Sequence, residues 1–144
     1  MSEQVADRFI EALRQLEERQ ELELLLDTFA ARCEIRNVVV SEKFQGQDGA
    51  RRFWTTYRAT FGEMRSTFRS RIVADSHIAL EWSTEGTTNG GVFVHYDGVS
   101  VLELEADKIV RFRAYFDAGS LSRQIEGKEQ APPPMVEETD YVTD

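Results

Sequence analysis

Residues 99–117, VSVLELEADKIVRFRAYFD, constrain the fold of this chain more than any other stretch. They read as two long strands joined by a tight Ala106-Asp107-Lys108 turn, with apolar side chains at Val99, Val101, Leu102, Leu104, Ile109, Val110, Phe112, Tyr115 and Phe116. Side chains on a strand alternate between faces. Val110, Phe112, Ala114 and Phe116 therefore point one way, and Arg111, Arg113, Tyr115 and Asp117 the other. Bulky apolar groups on one face imply a core or pocket, while the Arg, Tyr and Asp face offers hydrogen-bonding groups to a second packed surface. The pattern points to a curved sheet wrapped around a cavity.

A chain of 144 residues fits one domain large enough to bury a core. Its formal net charge is −9, and residues 126–144 alone contribute −5 through six acids and Lys128. The body is only mildly acidic, which disfavours nucleic acid as a partner. No apolar run reaches the roughly 18–20 residues that cross a bilayer. The first twenty residues lack the basic and apolar regions of a secretory signal, so neither a membrane association nor export is expected and the location is read as cytoplasmic. The single cysteine, Cys33, excludes an internal disulfide and reads as a buried structural thiol. His77 and His95 stand far apart, with no ligand-type spacing around either. No metal and no cofactor is expected.

Along the chain, Val5, Phe9, Leu13 and Leu16 form one apolar stripe of a helix over residues 5–18. Leu22, Leu25, Leu26 and Phe29 predict a second helix over 21–31, and the β-branched run at 37–40 a first strand over about 33–40. A third helix is expected over 50–61, its face built of Phe53, Trp54, Tyr57 and Phe61. Strands follow over 68–73, 77–86 and 92–96, the last two joined by an Asn89-Gly90-Gly91 turn. Residues 119–125 read as a brief closing turn. The remainder, with Pro132-Pro133-Pro134 and an acid excess, reads as an acidic disordered tail over 126–144 behind a domain spanning 1–125.

This order of elements resembles the nuclear transport factor 2-like superfamily, and within it the SnoaL-like domain family. The carriers are Phe44-Gln45-Gly46 ahead of Phe53-Trp54-x-x-Tyr57, Ile78-Ala79-Leu80-Glu81-Trp82 ahead of Glu85-Gly86-Thr87, then Gly98-Val99-Ser100-Val101-Leu102-Glu103-Leu104 and Lys108-Ile109-x-x-x-Arg113-x-Tyr115-Phe116-Asp117. The resemblance implies an α+β cone in which three N-terminal helices pack on a curved, mostly antiparallel sheet that encloses a pocket. It also implies a homodimer formed through the outer sheet face, here the face of Arg111, Arg113 and Tyr115. One scaffold of this kind hosts isomerases, hydrolases, dehydratases, cyclases and pure binding domains, so the fold does not name the activity.

The catalytic sets of such enzymes are mostly broken here. In ketosteroid isomerases an aspartate base precedes a Ser-Glu-x-x-x-Gly segment; Ser41-Glu42-Lys43-Phe44-Gln45-Gly46 matches that segment and puts Asn37, an amide that cannot take a proton, in the base position. The tyrosine and acid of the oxyanion site fall near Leu13 and Val99. The two acids and bridging arginine of limonene epoxide hydrolases fall on Glu81, Ser83 and Ala114. Asp117-x-x-x-Leu121-x-x-Gln124 resembles the acid/base segment of SnoaL-type cyclases, but their partner histidine falls near Glu103. Asp117 is thus the one catalytic candidate, as a proton shuttle or else as a cap where the strand stops.

Two functions follow. The first is a domain that binds a small apolar molecule in a pocket formed by Asn37, Phe53, Trp54, Tyr57, Glu81, Phe112, Ala114 and Phe116. The alternative is an isomerase, cyclase or dehydratase that uses Asp117. A mid-strand Glu81 needs a partner, expected from Arg69, Arg71 or Arg113.

Overall fold

The computed structural model describes residues 2–39 and 41–131. Ten elements follow in chain order: α1 (Ser2–Arg19), α2 (Glu23–Asp27), β1 (Phe29–Asn37), β2 (Phe44–Gln45), α3 (Gly46–Ala59), β3 (Phe61–Val73), β4 (His77–Thr88), β5 (Phe93–Glu105), β6 (Lys108–Phe116) and α4 (Ala118–Ile125). The six strands form one sheet in the order β2-β1-β6-β5-β4-β3. Only the β1–β6 pair is parallel; the others are antiparallel. The architecture is the expected α+β arrangement of helices on a curved, mostly antiparallel sheet.

Curvature has a local cause. The register of β3 on β4 slips between Phe61 and Glu63 and again between Phe68 and Ser70. Such bulges bend a strand and raise its twist. The hairpin of β5 and β6 closes through Ala106 and Asp107, both at positive φ, the backbone of a two-residue turn whose twist matches its strands. A further slip on this hairpin corrects one expectation. Leu104 pairs with Ile109 and Glu103 with Arg111, so Val110 is the extra residue of a bulge. Ile109 is buried where Val110 was expected to be, and Val110 is only half-buried. Beyond the bulge the alternation is as read, with Phe112 and Ala114 buried and Tyr115 exposed.

The concave side of the sheet is filled by helices. On α1 the stripe of Val5, Phe9, Leu13 and Leu16 is buried. The helix is tied across the sheet by Ser2 Oγ, which donates to Asp75 O at 2.7 Å, and by Arg71, which reaches Asp7 at 2.9 Å. Phe112 is the hub of the core: its ring lies 5.2 Å from Trp54, 5.7 Å from Phe9, 6.1 Å from Phe29 and 6.2 Å from Phe53 between centroids. Contacts of this geometry add to the area that the rings bury.

Several boundaries differ from expectation. The second helix is a five-residue turn, and Phe29 begins β1 instead of ending a helix. Its neighbour Thr28 O accepts from Ile109 N at 2.9 Å, so pairing with β6 takes over from helical periodicity. The third helix starts earlier and ends before Phe61, which opens β3. Residues 118–125 form a helix rather than a turn. Of the expected tail, residues 132–144 lie outside the described residues. No described helix is long and apolar enough to cross a membrane.

Candidate functional site

Between α1, α3 and the concave face of the sheet lies an inner chamber of about 70 Å³. Its helical wall is Phe9 and Leu13 from α1 with Phe53, Trp54 and Tyr57 from α3; its sheet wall includes Trp82, Ser100, Phe112, Ala114 and Phe116. A larger vestibule of about 420 Å³ adjoins it, bounded by the outer end of α3 and by Leu121 and Ile125 of α4. Asn37, Phe53, Tyr57, Tyr96 and Phe116 border both spaces, so the two lie side by side. Ala114 is the small residue between Phe112 and Phe116 on β6, and all three line the chamber.

Asn37, Phe53, Trp54, Tyr57, Phe112, Ala114 and Phe116 all line the chamber. Asn37 Oδ1 also accepts from Val39 N at 2.9 Å, which fixes its amide at the end of β1. Glu81 does not join them. Leu80, Trp82 and Thr84 of β4 face the core, so Glu81 faces outward, half exposed, and pairs with Arg69 Nη2 at 3.1 Å. The strand period that buries Trp82 excludes Glu81 from the pocket.

Asp117 is exposed and lies outside the cavity lining. Its Oδ1 accepts from Ser120 N at 2.9 Å, capping α4. Gln124, seven residues after Asp117, is buried and closes a different gap. Strand β6 ends opposite Gly98, so at His95, which pairs with β4 on one side, no described strand lies on the other side of β5. The Gln124 amide takes that place, accepting from His95 N at 2.9 Å and donating to His95 O at 3.0 Å. Asp117 and Gln124 together seat α4 as a wall of the vestibule. Cys33 is buried and donates weakly to Gly46 O, and burial pushes its thiol above the ordinary range.

The polar residue that sequence reasoning missed is Glu17. It is 4% exposed and takes three hydrogen bonds. Tyr57 Oη donates to Oε2 at 2.7 Å, Ser66 Oγ to Oε2 at 2.6 Å, and Ser66 N to Oε1 at 2.8 Å. Ser66 Oγ also lies 2.7 Å from Thr84 Oγ1. Burial raises the Glu17 carboxyl above its ordinary range, while the hydrogen bonds from Ser66 and Tyr57 and the nearby Arg58 act the other way. Burial and then the charge of Glu17 hold the Tyr57 and Tyr96 phenols protonated. The signal was present in the sequence: Val5, Phe9 and Leu13 step along one helical face by fours, and the next step is Glu17. An acid on an apolar stripe is either paired or functional.

Compared with known families, residues 6–112, about three quarters of the chain, match the SnoaL-like domain. The chain belongs to the SnoaL-like domain family. No curated protein matches it by sequence. Among solved structures this SnoaL-like domain is similar to TerC co-crystallized with polyporic acid, at 18% identity and a TM-score of 0.75, over 87% of this chain and 98% of that one. It is also similar to an NTF2-like protein from Anabaena variabilis ATCC 29413, at 18% identity and a TM-score of 0.74, covering 81% of this chain and 89% of that one. A proposed SnoaL-like polyketide cyclase from Jannaschia sp. CCS1 matches at 14% identity and a TM-score of 0.71, over 88% and 94% of the two chains. At these identities the likeness is one of fold.

Proposed function

We propose that this SnoaL-like domain binds a small, mostly apolar organic molecule in the cavity between α3 and the sheet. The observation that carries the reading is the pair of adjoining spaces, about 70 and 420 Å³, the inner walled chiefly by aromatic side chains and the outer by aromatic and aliphatic ones with polar groups such as Asn37, Thr56 and Glu126 between them. That is the composition of a site that holds a ligand by shape and orients it by one or two hydrogen bonds. Trp54 Nε1 supports it: this buried donor, on a residue lining the chamber, has no hydrogen-bond partner among the described residues and suits an acceptor on the ligand. The co-crystallization of TerC with polyporic acid is consistent with a scaffold of this shape taking up an organic molecule. Catalysis through Asp117 has no such support, since its carboxylate serves the end of α4.

The test uses N-phenyl-1-naphthylamine, a neutral apolar fluorophore, as the probe. Wild-type protein should raise its emission saturably, and Ala114→Trp should abolish the rise while the melting temperature stays within a few degrees. Overpacking a solid core would instead cost roughly 1–3 kcal/mol. A variant that melts early, set beside a wild type that never bound the probe, refutes the reading.

A further inference from the structure

The hydroxyl protons around Glu17 have a fixed direction. Three donors converge on its two carboxylate oxygens, the surrounding of an ionised acid, because a proton on Oε2 would displace Tyr57 or Ser66. Ser66 has one hydroxyl proton and it goes to Glu17, so Thr84 is the donor in the Ser66–Thr84 bond. The chain thus runs Thr84 to Ser66 to Glu17, met there by Tyr57. Tyr57, Ser66 and Thr84 all line the inner chamber, and in this chain each of their hydroxyl protons is taken up by Glu17 or by Ser66. What they present to an occupant is lone pairs.

The geometry points to a hydrogen-bond-accepting subsite in the inner chamber, formed by Tyr57, Ser66 and Thr84 and set by Glu17, that selects an apolar alcohol or phenol over the matching ketone. It rests on the cavity being a binding site and names the class of molecule that site takes. A hydroxyl group donates to the Tyr57–Thr84 wall and keeps lone pairs for a donor such as Trp54 Nε1. A ketone has only the second half of that complement, and placed against the wall it sets its own lone pairs against theirs. Glu17 is a positioning residue here, since it acts through the hydroxyls it orients.

Glu17→Gln should reverse the subsite at almost constant shape. Ser66 N fixes the amide oxygen in the place of Oε1, which puts the amide NH₂ where Oε2 was. It then donates to Tyr57 Oη and Ser66 Oγ, the Ser66 proton turns to Thr84, and the Tyr57 and Thr84 protons turn into the chamber. The experiment is a titration of the ¹⁵N-labelled chain with cyclohexanol and with cyclohexanone, read at the indole N–H of Trp54 and Trp82. Wild type should bind the alcohol about tenfold tighter, the effect of one hydrogen bond to a buried acceptor. Glu17→Gln should bring the ratio to one or below, and Tyr57→Phe should weaken the alcohol alone. An alcohol-to-ketone ratio near one in wild type, or one unchanged in both variants, overturns this inference and leaves cavity binding standing. If Glu17→Gln does not fold, an unchanged ratio in Tyr57→Phe alone overturns it. Silence of both indoles toward both probes refutes the binding reading itself.

Discussion

Replacing Gln124 by Leu keeps the bulk of a buried side chain and removes the amide that stands in for a missing strand. Three hydrogen bonds disappear: one of 3.3 Å to Ser120 Oγ and, at 2.9 and 3.0 Å, those to the backbone N–H and C=O of His95. A buried backbone group left unpaired costs about 1–3 kcal/mol, so two of them cost roughly 2–6 kcal/mol if α4 stays in place. The helix has another option. It is eight residues long and can lift away, letting water reach His95, so the loss is capped by the docking free energy of α4. A fall of about 2 kcal/mol in urea stability, read by tryptophan fluorescence, is expected. Hydrogen exchange separates the two outcomes: the His95 amide should lose protection well before the amides of β4, and the vestibule should lose affinity for N-phenyl-1-naphthylamine as its wall departs. Gln124→Glu keeps the acceptor for His95 N–H but sets a carboxylate against His95 O. It should be as destabilised at neutral pH and recover on acidification, when the protonated acid donates again. A loss under about 0.5 kcal/mol in the Leu variant, with the His95 amide still protected, would refute the reasoning.

Other outcomes follow from the outer face and the strand contacts. Glu103 is held down to about 2 by hydrogen bonds from Arg111 and Arg113, from an ordinary value of 4.5. A depressed folded value means the stabilisation is present above 4.5 and lost as pH falls toward 2. Glu103→Gln should therefore cost about 1 kcal/mol at pH 7, allowing for the exposure of both arginines, and almost nothing near pH 2 in urea titrations; an equal cost at both contradicts it. A Cβ on Gly98 would lie 2.5 Å from Trp82 Cζ2 and 2.6 Å from Tyr115 O. Gly98→Ala should lose about 1–3 kcal/mol in thermal melts, and an unchanged melting temperature would show that the ring yields freely. Val99 and Tyr115 pair across β5 and β6 and are both exposed. We propose that a second copy covers this face, so sedimentation equilibrium should report a dimer at micromolar concentration and a monomer for Tyr115→Glu; a wild-type monomer contradicts it.

Much of the fold was legible because strand alternation and helical stripes are strong local signals. The β5–β6 hairpin, the α1 stripe and the aromatic face of α3 followed from spacing alone, and with them the residues of β6 and α3 that line the chamber. What escaped depends on partners distant in sequence. Phe29 fits a helical stripe, yet it lies in a strand because β6 offers it a ladder. Val110 and Ile109 exchange burial through a bulge that no periodicity announces. Glu81 counts among the polar candidates for the pocket, but it neighbours Trp82 on a strand and so faces the opposite side. Glu17 was passed over as one more acid on a charged helix, and only Tyr57 and Ser66, 40 and 49 residues away, give it a role.

The location of a bound molecule tests the account most directly. With N-phenyl-1-naphthylamine at saturation, nuclear Overhauser contacts should connect the probe to the indoles of Trp54 and Trp82, the ring of Phe112 and the methyl of Ala114. Contacts confined to Val99, Tyr115, Phe93 or Ile72, which are exposed, would place the probe outside the cavity and contradict the account.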